Sequence, residues 1–207
     1  MRRSMVMALA LLAGCANKGE AEVDGVLLPQ ADGLVDAPDG ATMAVNTETI
    51  DAAPIPKGAG VVRLAIAREV PWDRVGALIA RVKAAGRTPF LLAGHAHKVK
   101  GFQLEDDKAR GVSRIINVIS YIDGKACVQP PGSIEAICVQ SPDGLYIDPA
   151  FLREQVRLQV TTYDVKTVEV EVASGLPWVD VVRTIDAVRT CCDETKVAVR
   201  LKRSPGS

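Results

Sequence analysis

The sequence predicts an α/β fold: an α+β sandwich of two related strand–helix–strand units, with helices on one face of mixed sheets. Three observations carry that expectation. Val61-Val62-Arg63-Leu64-Ala65-Ile66-Ala67 precedes Val70-Pro71-Trp72, and 106 positions later Val168-Glu169-Val170-Glu171-Val172-Ala173 precedes Leu176-Pro177-Trp178. The same offset aligns Val75 with Val181, Ile79 with Ile185 and Val82 with Val188, and it puts the chain's two Trp in register. Within each copy the apolar period changes from alternation to i, i+4, i+7 spacing, as in a strand that leads into a helix.

Residues 1–14 read as an export signal. Arg2 and Arg3 precede the apolar stretch Met5 to Leu11, which closes on Leu12-Ala13-Gly14-Cys15. A basic start, a short apolar run and a small-residue cleavage site describe a secretory signal. About ten apolar residues fall well short of the ~20 needed to span a bilayer. Cys as the first residue after the cut makes the segment similar to a bacterial lipobox, which implies acylation of Cys15 and a lipid anchor. Ala16 after that Cys points to the periplasmic side of the outer membrane in a Gram-negative type of envelope.

Residues 15–60 form an acidic segment that reads as a flexible tether. Eight carboxylates (Glu20, Glu22, Asp24, Asp32, Asp36, Asp39, Glu48, Asp51) face only Lys18 and Lys57, and no aromatic residue occurs. As a coil of about 45 residues it reaches roughly 35–40 Å r.m.s.. Thr42 to Ile50 alternates weakly and is a candidate edge strand.

The first unit, residues 61–105, is read as a partial half. Pro71 suits the start of a helix, Gly86 its end, and Thr88 to Ala93 the closing strand. The second, residues 106–204, is read as a complete half. Ile115 to Ile122 reads as a strand, because Ile, Val and Tyr dominate and Asp123-Gly124 follows. Gly132-Ser133 marks a hairpin that sets Cys127 opposite Cys138. Ser141-Pro142-Asp143-Gly144 is a turn signal before a short strand, Leu145-Tyr146-Ile147. Asp148-Pro149 opens a helix with Leu152, Val156 and Val160 on one face. Thr195 to Leu201 closes the unit.

That order of elements resembles the periplasmic domain of the ExbD/TolR family of biopolymer-transport proteins. The resemblance rests on Asp143-Gly144-Leu145-Tyr146-Ile147-Asp148 followed by Leu152, on Val168 to Ala173, on Pro177-Trp178-Val179-Asp180-Val181-Val182, and on Ile185-Asp186-Ala187-Val188. It covers about residues 112–202, and residues 61–94 as the strand–helix–strand portion alone. It implies a small α/β sandwich that works in an envelope complex and pairs with a second copy of itself. Family members carry a transmembrane helix with a carboxylate on the proton path. Here that place is taken by a cleavable signal with no Asp or Glu between Met1 and Asn17, so the motor function does not transfer.

Composition excludes several classes. Lys+Arg and Asp+Glu balance at 25 each, which leaves no electrostatic footprint for nucleic acid. Aromatics make up 4%, too few for stacking platforms. Besides Cys15 there are four cysteines, Cys127, Cys138, Cys191 and Cys192, an even number that suits an oxidising compartment. Adjacent Cys191 and Cys192 are not expected to bond to each other, since neighbours reach disulfide geometry only with backbone strain.

His95-Ala96-His97 is the sole histidine cluster. On a strand both rings would share a face and offer two metal ligands, with Asp106 and Asp107 near in sequence. An exposed loop after Gly94 is the plainer expectation. Neither a GxSxG elbow nor a Cys near a usable base supports nucleophilic catalysis. Trp72 and Trp178, at matched helix starts, read as core lids or as an interaction surface. The expected protein has no cofactor and no catalytic activity. It is a lipid-anchored envelope component linked to biopolymer transport, whose halves pack together and bind an envelope protein or peptidoglycan. A periplasmic enzyme or metal-binding lipoprotein using His95 and His97 is the alternative.

Overall fold

The computed structural model describes residues 20–104, 115–140, 147–165 and 167–192, and the backbone of 198–202. The described residues form a mixed α/β fold, with three helices packed against a four-stranded and a five-stranded sheet beside a two-stranded ribbon. Cys15, the turn at 141–144, and Asp106 and Asp107 lie outside the described residues.

In the first sheet β3 (Ala41–Val45), β4 (Val61–Ile66) and β5 (Thr88–His95) run parallel, and β6 (Lys98–Phe102) returns antiparallel beside β5. Helix α1 (Trp72–Ala84) joins β4 to β5 and buries Val75, Leu78, Ile79 and Val82. It ends where Gly86 takes a φ of +71°, a left-handed position that glycine fills without a Cβ penalty. The second sheet has the order β11–β10–β7–β8–β9. Its parallel members are β7 (Ile116–Ser120), β10 (Thr167–Val172) and β11 (Ala198–Lys202), and β8 (Lys125–Gln129) and β9 (Ile137–Gln140) add an antiparallel hairpin. Helix α2 (Pro149–Tyr163) is capped by Asp148, whose carboxylate accepts from the Ala150 and Phe151 amides. Helix α3 (Trp178–Arg189) joins β10 to β11, and Thr184 on it meets Ser120 of β7 through their hydroxyls at 3.0 Å.

The two units match more fully than the repeat in sequence shows. β3 pairs with β4 as β7 pairs with β10, both parallel, with Ala41 opposite Val62 and Ile116 opposite Val168. Strand, strand, helix, strand is therefore common to both, and the first unit begins at Ala41 rather than at Val61. The offset between β3 and β7 differs from that between the helices because the second unit inserts β8, β9 and α2 between its first two parallel strands.

The reading of residues 15–60 as a tether is corrected over its described part. Ala21, Leu28, Ala31, Met43, Val45 and Ile50 are buried in the common core. Segment 20–35 contains the ribbon β1 (Glu22–Val23) and β2 (Val26–Leu27), then lies along β5 and β6. The Ala31 amide donates to Gly94, the Gly94 amide to Pro29, and Val35 and Gly101 exchange both bonds. Three arginines gather backbone carbonyls of this segment and of the start of β4. Arg68 donates to the Leu28 carbonyl, Arg81 to those of Ile50, Asp51 and Ala53, and Arg87 to those of Pro56, Lys57, Gly60 and Val61. Acidic composition predicts disorder only where a chain lacks such donors and apolar anchors, and here both are present.

Cys127 and Cys138 face each other across β8 and β9 and are bonded, as the hairpin predicts. Closing a loop of this length contributes roughly 2–3 kcal/mol. Reduction, or a Cys127→Ala/Cys138→Ala pair, should lower the melting free energy by about that amount in denaturant titrations. Equal stability of the oxidised and reduced chains would refute this. The expectation for Cys191 and Cys192 is corrected: they form a bonded pair just past the end of α3. Strain between neighbours is a cost rather than a prohibition, and a turn outside the helix leaves the backbone free to meet it.

Candidate functional site

Helices α1 and α3 each begin at a proline that supplies no side-chain cap. The first amides of a helix have no partner within it, so a buried start needs one from elsewhere. Here each unit supplies the other's. The Trp72 amide donates to the Leu176 carbonyl at 2.9 Å and the Asp73 amide to Ser174 at 2.9 Å. Reciprocally, the Trp178 amide donates to Val70 at 2.8 Å and the Val179 amide to Arg68 at 3.0 Å. Donors and acceptors exchange under the repeat offset, so the junction is isologous, like that of a two-fold dimer, with Pro71 bridged to Pro177 at its centre.

The rings follow the backbone. Trp72 and Trp178 stack with centroids 6.1 Å apart and planes 10° from parallel, and Phe102 lies 6.3 Å beyond Trp178. Trp178 is fully buried, and Trp72 is half-buried. Trp178 therefore cannot serve as an interaction surface. The pair is the lid of the junction, which matches the core reading of the two residues.

A second feature lies where the N-terminal segment, the β5–β6 turn, α2 and α3 converge. A cleft of about 410 Å³ is lined by Asp32, His95, Arg153, Arg183 and Asp186 among others. Asp186 projects from α3, and one of its oxygens accepts from the amides of Asp32 at 2.9 Å and Gly33 at 2.7 Å. That clamp ties the N-terminal segment to the second unit. Burial raises the Asp186 pKa from its ordinary value, the two amides and Arg153 oppose the rise, and the charge of Asp32 adds to it.

The sign of this shift gives a prediction. A carboxyl whose folded pKa lies above its unfolded one adds stability below the unfolded value, and that contribution is lost as pH rises through the folded value. The contribution of Asp186 to stability should therefore grow as pH falls from its raised pKa towards the ordinary Asp value. Asp186→Asn, which keeps an oxygen for both amides, should flatten that part of the stability–pH curve. Identical curves for both proteins would contradict the assignment.

The histidines do not form a pair of ligands. His95 is the last residue of β5, and its Nδ1 lies 3.2 Å from the Ala31 carbonyl, whereas His97 sits in the turn beyond Ala96 and is exposed. Ala96 has a φ of 52°, so the turn reverses between the rings instead of continuing the strand that would align them. Among the described residues no group of three or more His, Cys, Asp or Glu side chains is arranged to hold a metal. No described helix is long and apolar enough to cross a membrane.

Sequence reasoning singled out the two Trp but missed the cleft. Asp186 and Arg153 look like ordinary helix-surface charges, and only the folded position of segment 20–35 encloses them. No family model, curated protein or solved structure matches the chain.

Proposed function

We propose that the chain is a non-catalytic, lipid-anchored envelope protein that presents two fused ExbD/TolR-like modules as a binding or scaffold component linked to biopolymer transport. The reciprocal capping of α1 and α3 is the observation that carries this reading. An isologous junction inside one chain is the covalent counterpart of a module that pairs with a second copy. The Cys127–Cys138 bond supports an oxidising compartment, because such bonds persist in the periplasm and are rare in the cytosol. The Leu12-Ala13-Gly14-Cys15 ending supports the anchor and a place at the periplasmic face of the outer membrane. The partner in this reading is an envelope protein or peptidoglycan.

Cross-linking of the full chain in intact cells tests the role. The reading expects adducts with components of an inner-membrane energy-coupling complex or with peptidoglycan, and loss of transport when the gene is deleted. Transport unchanged by deletion, with the chain recovered free of both, would overturn it. The anchor is tested separately. Cys15→Ser should abolish incorporation of a labelled fatty acid and move the protein from the membrane to the soluble fraction, since acyl chains bind with about 0.8 kcal/mol per buried methylene. Unchanged fractionation would remove the anchor from the account.

A further inference from the structure

We infer that the cleft between the N-terminal segment, α2 and α3 is a binding site for a small zwitterion, a ligand carrying a carboxylate and an ammonium a few bonds apart, such as a free α-amino acid. The site joins both units and the N-terminal segment, and it goes beyond the scaffold reading.

Arg153 is the first observation. Its guanidinium lies 3.8 Å from Asp32 and 3.9 Å from Asp186, too far for a hydrogen bond to either. Its Nε is enclosed and has no hydrogen-bond partner. The donors left for a ligand are therefore those at the open end of the guanidinium, where a planar oxyanion can accept a charge-assisted hydrogen bond. The side chain is 37% exposed, so the rest of the guanidinium is open to an incoming group.

The acids are the second. Asp186 is committed through one oxygen to the Asp32 and Gly33 amides. The Asp32 carboxylate is 70% exposed and makes only long contacts, to His95 at 3.7 Å and to Arg153. It is therefore the cleft's acceptor for a cation. Arg183, the remaining guanidinium of the lining, donates to Asp180 at 2.9 Å.

Charge balance selects the ligand. The formal charges of Arg153, Arg183, Asp32 and Asp186 cancel. A simple anion would gain Arg153 and meet the repulsion of two carboxylates. A simple cation would gain Asp32 and meet the guanidiniums. A ligand with both charges satisfies Arg153 and Asp32 together, so complementarity favours it over either half.

The test is a titration of the full chain, followed by two-dimensional amide spectra, with L-alanine, propionate and ethylamine as probes. L-alanine should give saturable shifts at Gly33, His95, Ala96 and Arg153, with propionate and ethylamine at least about tenfold weaker. Arg153→Lys and Asp32→Asn should each weaken L-alanine by about tenfold or more, and Arg157→Lys, outside the cleft, should not. Absence of saturable shifts, equal response to all three probes, or full affinity in Arg153→Lys would overturn the inference and leave a structural ion-pair network only. Asp32 is exposed, so Asp32→Asn keeps the test decisive if Arg153→Lys disturbs the fold.

Discussion

Trp178→Ala is expected to destabilise the chain by about 3–5 kcal/mol, the usual cost of removing a large buried aromatic. Trp178 is fully buried between Trp72 and Phe102, so its loss opens a cavity where the two units and β6 meet. Against a total stability of about 5–15 kcal/mol, that is a large fraction of the margin that keeps the chain folded. Two companions make the result specific. Trp72→Ala, at the matched but half-buried position, should cost clearly less. Trp178→Phe should cost less than Trp178→Ala, because it keeps a stacked ring, leaves a smaller cavity and deletes an indole N–H that is buried without a partner. Denaturant titrations read all three, and equal effects at the two Trp positions would contradict the asymmetry.

Deleting residues 20–60 should have a still larger effect. Leu28, Met43, Val45 and Ile50 are buried, and full burial of such side chains contributes roughly 1.5–3 kcal/mol each. The deletion also removes β3 and the carbonyls gathered by Arg68 and Arg81, and leaves Arg87 with the Val61 carbonyl alone of its four acceptors. Together these losses reach the stability of an ordinary domain, so the shortened chain should show no cooperative unfolding. A tether in that place would predict the opposite, an unchanged melt.

How much of this was legible depended on whether the pattern was local. The repeat of strand and helix could be read because periodicity and the Pro-Trp pair survive in register. The Cys127–Cys138 bond could be read because hairpin geometry fixes which residues face each other. The folding of segment 20–60 was hidden, since its apolar residues are spread among acids and turns and bury themselves only against elements far along the chain. One signal was available: the second unit places Ile115 to Ile122 ahead of its strand–helix–strand, and the first unit requires a counterpart, which is Ala41–Val45. The cleft could not be read, because Asp32, Arg153 and Asp186 are brought together only by that folding. The bond between Cys191 and Cys192 ran against a general rule whose exceptions depend on local backbone, which sequence does not display.

The central claim is that the two units cap each other's helices across an isologous junction. Amide hydrogen exchange on the full chain tests it most directly, because the first amides of a helix ordinarily lack a partner and exchange quickly. The account predicts that the amides of Trp72, Asp73, Trp178 and Val179 are protected together, to nearly the level of the β4 and β10 amides. Rapid exchange at these four positions while β4 and β10 stay protected would show that the units do not pair, and would contradict it.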